Sequence, residues 1–225
     1  MKRLTSIKLT LCIALAIAVF LCSKITYANV EISSITENNV ISVTVQFPAP
    51  IITEVNLYHH VGMEGVSSIG NPGEPVLPTK GVNILLPAGK KIKNSWVILG
   101  EKITLPGTYL VEPGGEPAPL TDKIEGTLPK DAIYKSNNPF PSEIKKEITI
   151  QEMCGYRIAV FNLFPIEYIP KDGRLSYYKS ITLKLNLKED VAKRIKIRNS
   201  PADKEKIRQL VVNPQDLYSY DMQMK

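Results

Sequence analysis

The stretch Gly70–Gly89 reads GNPGEPVLPTKGVNILLPAG, and the placement of its prolines decides the fold class. It opens on the turn residues Gly70, Asn71, Pro72, Gly73 and Pro75. It then alternates short apolar pieces with proline: Val76-Leu77-Pro78, then Val82, then Ile84-Leu85-Leu86-Pro87. Proline has no N–H for a sheet ladder, so it is kept out of central strands. The stretch therefore reads as a tight turn, a short edge piece, a second turn at Thr79-Lys80-Gly81, and a strand from Val82 to Leu86. Pro87-Ala88-Gly89 closes it. By composition alone this is a loop and strand of an ordinary β-domain.

The same punctuation runs through the chain. Val40–Phe47 alternates cleanly and is β-branched, after a hairpin-type turn at Asn38-Asn39. Ile51–Tyr58, Ile92–Leu99, Lys102–Leu105, Glu147–Ile150 and Tyr156–Phe164 are further strand candidates, each stopped by proline, glycine or a polar cluster. Ser180–Leu187 is the best amphipathic strand, with Ile181, Leu183, Leu185 and Leu187 on one face. Many short strands at such spacing favour an all-β, two-sheet, jelly-roll-like β-sandwich. Helical signals are confined to the tail. Ser200 is an N-cap candidate, Pro201 takes the first helical position, and Ile207, Leu210 and Val211 are spaced i, i+3, i+4.

The N-terminus is an address. Lys2, Arg3 and Lys8 precede an apolar run from Leu9 to Cys22, too short for the roughly 20 residues that span a bilayer. Thr26-Tyr27-Ala28 offers small residues at −3 and −1, so a secretory signal peptide cleaved after Ala28 is expected. The leader holds four of the 28 Lys and Arg and no acid, leaving 24 cations against 22 acids. The basic character thus belongs mostly to the leader. No basic face for nucleic acid remains, and no membrane contact is expected once the leader is gone. Cys12 and Cys22 leave with it; Cys154 alone cannot form a disulfide within the chain. The expected organisation is a signal peptide over 1–28, a β-sandwich over 29–190, and a basic linker with a short helix over 191–225. The expected location is secreted or periplasmic.

The residues offer little chemistry. Cys154 and the pair His59-His60 are the only thiol and imidazoles after the leader, and each reads more simply as a packing or surface residue. There is no H-E-x-x-H, no Walker loop, no G-x-S-x-G and no paired-cysteine zinc pattern, so neither metal nor cofactor is expected. One reading of such a chain is a β-sandwich adhesin or carbohydrate-binding module. Such modules line up exposed aromatics, whereas Trp96 stands alone and Tyr177-Tyr178 is the sole aromatic pair near a turn.

The order of residues in two places is more specific. Gly73-Glu74-Pro75-Val76-Leu77-Pro78 has the form G-x-P-x-L-P, followed by a strand ending in Leu86-Pro87-Ala88-Gly89. Later, Gly155-Tyr156-Arg157, then Pro165-Ile166-Glu167-Tyr168-Ile169-Pro170, then Gly173-Arg174-Leu175 give G-x-R…P-x-x-Y-x-P…G-x-L. Together they resemble the N-terminal propeptide of gingipain-type cysteine peptidases, secreted bacterial enzymes with a caspase-like catalytic domain. The resemblance runs from about Asn29 to Asp216.

It implies a prodomain that keeps its peptidase inactive and helps it fold, the catalytic His and Cys lying in a domain C-terminal to it. The chain stops at Lys225, so it is expected to be a truncated product, a fragment or a free-standing propeptide-like protein, and not itself an enzyme. The expected partner is the cognate peptidase domain, normally in cis. An inhibitory propeptide for a Lys- or Arg-preferring enzyme can place a cation in the acidic specificity pocket. The long polar excursion from Thr121 to Lys146 carries Lys123, Lys130, Lys135, Lys145 and Lys146. Lys135, after Ile133-Tyr134, is the first candidate and Lys130 the second. Lys193, Arg194, Lys196 and Arg198 follow the last confident strand and are candidate processing sites.

Overall fold

A computed structural model describes residues 30–116, 127–190 and 200–222. Among the described residues, thirteen strands and three α-helices follow in chain order. The strands are β1 (Glu31–Glu37), β2 (Val40–Gln46), β3 (Ile51–Val55), β4 (Tyr58–Gly62), β5 (Ser67–Ile69), β6 (Leu77–Leu85), β7 (Lys90–Leu99), β8 (Lys102–Thr104), β9 (Lys145–Met153), β10 (Tyr156–Leu163), β11 (Ile166–Ile169), β12 (Arg174–Tyr178) and β13 (Ser180–Glu189). The helices are α1 (Asp131–Tyr134), α2 (Pro201–Leu210) and α3 (Tyr218–Met222). The expected all-β class with a short C-terminal helix is what the structure shows.

Two four-stranded antiparallel sheets dominate, in the orders β1-β2-β13-β7 and β5-β6-β10-β9. Their facing side chains merge into one core. The first sheet sends in Ile41, Val43, Val45, Ile181, Leu183 and Leu185; the second sends in Val82, Ile84, Ala159, Phe161 and Leu163. The three-stranded sheet β11-β12-β8 adds Ile166, Tyr168 and Leu175 to the same core, and the β3-β4 hairpin adds Val61. Alternation predicted the inward face of β13 correctly: Ile181, Leu183, Leu185 and Leu187 are all buried. The Asn38-Asn39 turn carries positive φ at both residues, 50° and 62°, the conformation that matches the twist of a two-residue hairpin.

One local expectation is corrected. Thr79-Lys80-Gly81 is not a turn; β6 runs unbroken from Leu77 to Leu85 through Pro78. The proline is tolerated because β6 is paired in relay. β5 covers it over Leu77–Thr79 and β10 covers it over Lys80–Leu85. At Pro78 the strand therefore has a neighbour on one side only, and the missing N–H costs no ladder bond.

The tail packs on the domain. The sequence reading set 191–225 apart as a linker, but its described part, residues 200–222, covers the second face of the β5-β6-β10-β9 sheet. Leu85, Tyr156 and Ile158 on the sheet form a separate core with Ile207, Val211, Leu217 and Tyr220 of the tail. The Tyr220 hydroxyl donates to the Leu86 carbonyl (2.8 Å) and accepts from the Arg157 N–H (3.1 Å), and burial pushes its phenol up to about 12. Asn213, fully buried, acts as a surrogate strand residue. Its Oδ1 accepts from the Leu85 N–H and its Nδ2 donates to the Leu85 carbonyl, both at 2.8 Å.

Asn213→Ala would leave both Leu85 backbone groups buried without a partner. Each such orphan costs about 1–3 kcal/mol, so the variant is expected to lose about 2–4 kcal/mol in chemical denaturation relative to wild type. A change below about 0.5 kcal/mol would show that the tail contributes little to the domain.

Candidate inhibitory surface

The two sequence motifs grip the two ends of one excursion. The chain leaves the sandwich near Val111 and returns at Phe140. The first motif holds the outgoing side. Pro72–Val76 runs along Glu112–Gly114, with the Gly73 N–H donating to Gly114 O (2.9 Å), the Gly114 N–H to Glu74 O (2.8 Å) and the Val76 N–H to Glu112 O (2.9 Å). It also reaches the returning side, where the Lys130 N–H donates to Gly73 O (2.8 Å).

At Gly73 φ is +74°, and a Cβ there would meet Leu128 O and Lys130 Cγ at 3.0 Å. A positive φ together with contact at that range strains any side chain placed there, so glycine is favoured. Glu116 N–H donates to Thr127 Oγ1 (2.9 Å), so the residues flanking 117–126 are held against one another.

The second motif works the same way. Tyr168 is fully buried and its hydroxyl donates to Tyr109 O (2.9 Å). Its backbone exchanges both hydrogen bonds with Phe140, at 2.7 and 2.9 Å. Gly173, at φ +62°, receives the Tyr109 N–H (2.8 Å), and a Cβ would stand 2.5 Å from Thr108 Cγ2. Tyr134 secures the middle by donating to Val111 O (2.8 Å). Burial raises its phenol well above the ordinary range, with the nearby Tyr168, Tyr58 and Glu112 adding to the effect.

The candidate lysines differ in their settings. Lys130 lies just before α1 and its Nζ donates to Glu74 Oε1 (3.1 Å). Lys135 closes α1, and its Nζ donates to Asp131 Oδ2 (2.6 Å) across one helical turn. Both side chains of that pair are at least three-quarters exposed, so the pair is weak and easily exchanged. Lys145 and Lys146 are not on the excursion but in β9. Lys123, the processing candidates Lys193, Arg194, Lys196 and Arg198, and the cleavage residue Ala28 lie outside the described residues.

A cleft of about 440 Å³ opens beside Glu74, lined among others by Pro75, Phe140, Lys146 and Phe164. His59 and His60 lie in β4, where His60 Nδ1 sits 2.5 Å from Glu112 Oε1; Cys154 lies in the β9-β10 turn of another sheet.

Sequence reasoning missed Glu74, Asn71 and Gly114, which carry the grip. A faint signal existed: NPGEP at 71–75 and EPGGEP at 112–117 are near-copies in composition, and the fold sets Pro72–Val76 beside Glu112–Gly114.

A profile of the propeptide family Propeptide_C25 matches residues 24–209. The chain belongs to the Propeptide_C25 family. Its fold is that of gingipain prodomains. One solved relative is the complex of Porphyromonas gingivalis RgpB pro- and mature domains, at TM-score 0.66 and 16% identity, covering 84% of this chain and 98% of that one. Another is a structure addressing zymogenic latency of gingipain K from Porphyromonas gingivalis, at TM-score 0.59 and 16% identity, covering 74% and 97%. Among curated proteins no match was found. The family and the prodomain folds make this chain a propeptide, not a peptidase.

Within the propeptide, Glu74 is the charged hinge of the grip. Burial pushes its carboxyl up, but the hydrogen bonds from Asn71 and Lys130 and the charges of Lys130 and Lys146 outweigh it, leaving the pKa below 4.5. A depressed folded value means the contribution is present above about 4.5 and is lost as pH falls through the folded pKa. Carboxyl titration followed by NMR is expected to place Glu74 below 4.5, with Lys130→Ala moving it upward. A Glu74 that titrates identically in wild type and Lys130→Ala would remove this ion pair from the account.

Proposed function

We propose that this propeptide holds a secreted gingipain-type cysteine endopeptidase inactive and assists its folding, the peptidase domain being its partner in cis. The observation that carries the reading is the double grip. Both family motifs are spent on fixing the ends of one lysine-bearing excursion, which a domain with no use for that excursion would not need. A loop set on a rigid sandwich can enter a cleft without paying to order its base.

In this reading a lysine from the excursion enters the enzyme's specificity pocket and pairs with an acid there. Lys135 is the first candidate, since its ammonium exchanges an exposed carboxylate for a buried one. Lys130 is the second and would have to release Glu74. The leader directs secretion, with cleavage after Ala28. Activation follows cleavage at the basic run containing Lys193, Arg194, Lys196 and Arg198, which joins β13 to α2.

Support comes from the family, from the prodomain folds, and from the relative in which pro- and mature domains form a complex. The test is an alanine scan of Lys123, Lys130, Lys135, Lys145 and Lys146, measuring inhibition of the cognate catalytic domain. At least one replacement, led by Lys135 and Lys130, is expected to weaken inhibition tenfold or more, about 1.4 kcal/mol. Glu74→Gln serves as control, separating loss of the cation from loss of the grip. If all five variants inhibit like wild type, the cationic plug is wrong, and blockage by bulk coverage is what remains.

A further inference from the structure

Strand β9 is the outer strand of its sheet, paired to β10 alone. It has nine residues, and Ile148 and Ile150 on it are 47% and 38% exposed. An open edge presents a row of backbone donors and acceptors to another strand. Which residues present them follows from the hairpin. The β9-β10 connection is Cys154-Gly155, both at positive φ (55° and 87°), so Met153 and Tyr156 close it as a hydrogen-bonded pair. Alternation turns Gln151 and Thr149 toward β10 and leaves Glu152 and Ile150 facing outward.

Below Thr149 the register slips. Val160 is opposite Thr149, but Phe161 is opposite Glu147 and Asn162 opposite Lys146. The Phe164 N–H donates to Ile144 O (2.8 Å), so Ile144 and Lys146 face β10 while Lys145 and Glu147 face outward. The outward-facing residues are thus Lys145, Glu147, Ile150 and Glu152, and the steps between them run two, three, two. That spacing is symmetric about a point between Ile148 and Thr149.

We propose that β9 is a self-association edge, pairing antiparallel with β9 of a second copy about a twofold axis at that point. The register sets Lys145 opposite Glu152 of the second copy, and Glu147 opposite Ile150 of the second copy, each repeated by symmetry. The two bulges fall against each other, which keeps the ladder in step on both sides of the axis. The charges meet on one face. Lys145 lies opposite Leu163 and Glu152 opposite Arg157 in β10, an even number of residues apart on that regular strand, so both side chains project to the same side. An isologous contact requires a self-complementary patch, and opposite charges at these two ends supply it. A foreign strand without that pattern meets lysines and a bulge, the usual protections of an edge.

The experiment is sedimentation velocity of the chain after leader removal, over a range of concentrations. A concentration-dependent monomer–dimer equilibrium is expected. Lys145→Glu and Glu152→Lys are each expected to weaken it at least tenfold, and the double variant to restore it. Ile150→Pro removes an outward-facing N–H and no hydrogen bond to β10, so it is expected to abolish the dimer while near-ultraviolet circular dichroism stays native. A chain that remains monomeric up to its solubility limit overturns the proposal. So does a dimer that the single charge reversals leave intact, or one that the double variant fails to restore.

Discussion

The structure depends on one backbone contact, the laying of Pro72–Val76 along Glu112–Gly114. Neither string can build a regular ladder, because each has prolines where donors would be needed. The contact survives on the N–H groups that remain, those of Gly73, Gly114 and Val76, and on the absence of side chains at the glycines. A Cβ on Gly114 would stand 2.5 Å from Asn71 O. This is why a stretch rich in turn residues is organised: its glycines and prolines are selected for the fit between two chain segments as well as for local bends. The approach brings the start and the return of the excursion to one place, and Tyr168 and Gly173 do the same from the other sheet.

The two large sheets solve their burial problem differently, and their sequences show it. The β1-β2-β13-β7 sheet has one face in the core, so β13 alternates Ile, Leu, Leu, Leu with Thr, Lys and Asn. In the β5-β6-β10-β9 sheet the central strands β6 and β10 are covered on both faces, by the opposing sheet and by the tail. Accordingly Val82, Ile84, Leu85 and Leu86 are all fully buried, as are Tyr156, Ile158, Ala159, Phe161 and Leu163. Burial on both faces demands near-continuous apolar runs. The tail's polar residues are accounted for as well: Thr36 Oγ1 donates to Asp216 Oδ2 (2.7 Å) and Ser34 Oγ to Val212 O (2.9 Å). Through these contacts the tail joins β1 of one sheet to β6 of the other, and it is part of the prodomain.

The electrostatics follow exposure. Lys130 is held by a carboxylate whose other oxygen is itself hydrogen-bonded by Asn71, while the Lys135 partner, Asp131, is as exposed as Lys135 itself. Two lysines flanking one short helix thus carry different costs of release, and the weaker tie is on Lys135. The two lysines of β9 part ways: Lys146 lines the cleft with Glu74, and Lys145 turns its backbone to the open sheet edge.

By itself the sequence determined the fold class and the family. Proline and glycine punctuation divides most of the chain into short segments that read as strands, and the period-two alternation of Val40–Phe47 and Ser180–Leu187 needs no tertiary knowledge to read. Pro201 and the spacing of Ile207, Leu210 and Val211 placed the helix in the same way. The tertiary structure alone decided three things. Pro78 sits inside β6 because the strand changes neighbours beside it, a fact about pairing. Asn213 reads as a helix stop, yet its amide completes a ladder at Leu85, 128 residues away in sequence. And of the four described candidate lysines, the fold placed Lys130 on Glu74, left Lys135 on an exposed turn and built Lys145 and Lys146 into a strand. Charge and loop composition are local properties, whereas the partner of a charge is set by which distant backbone is packed beside it.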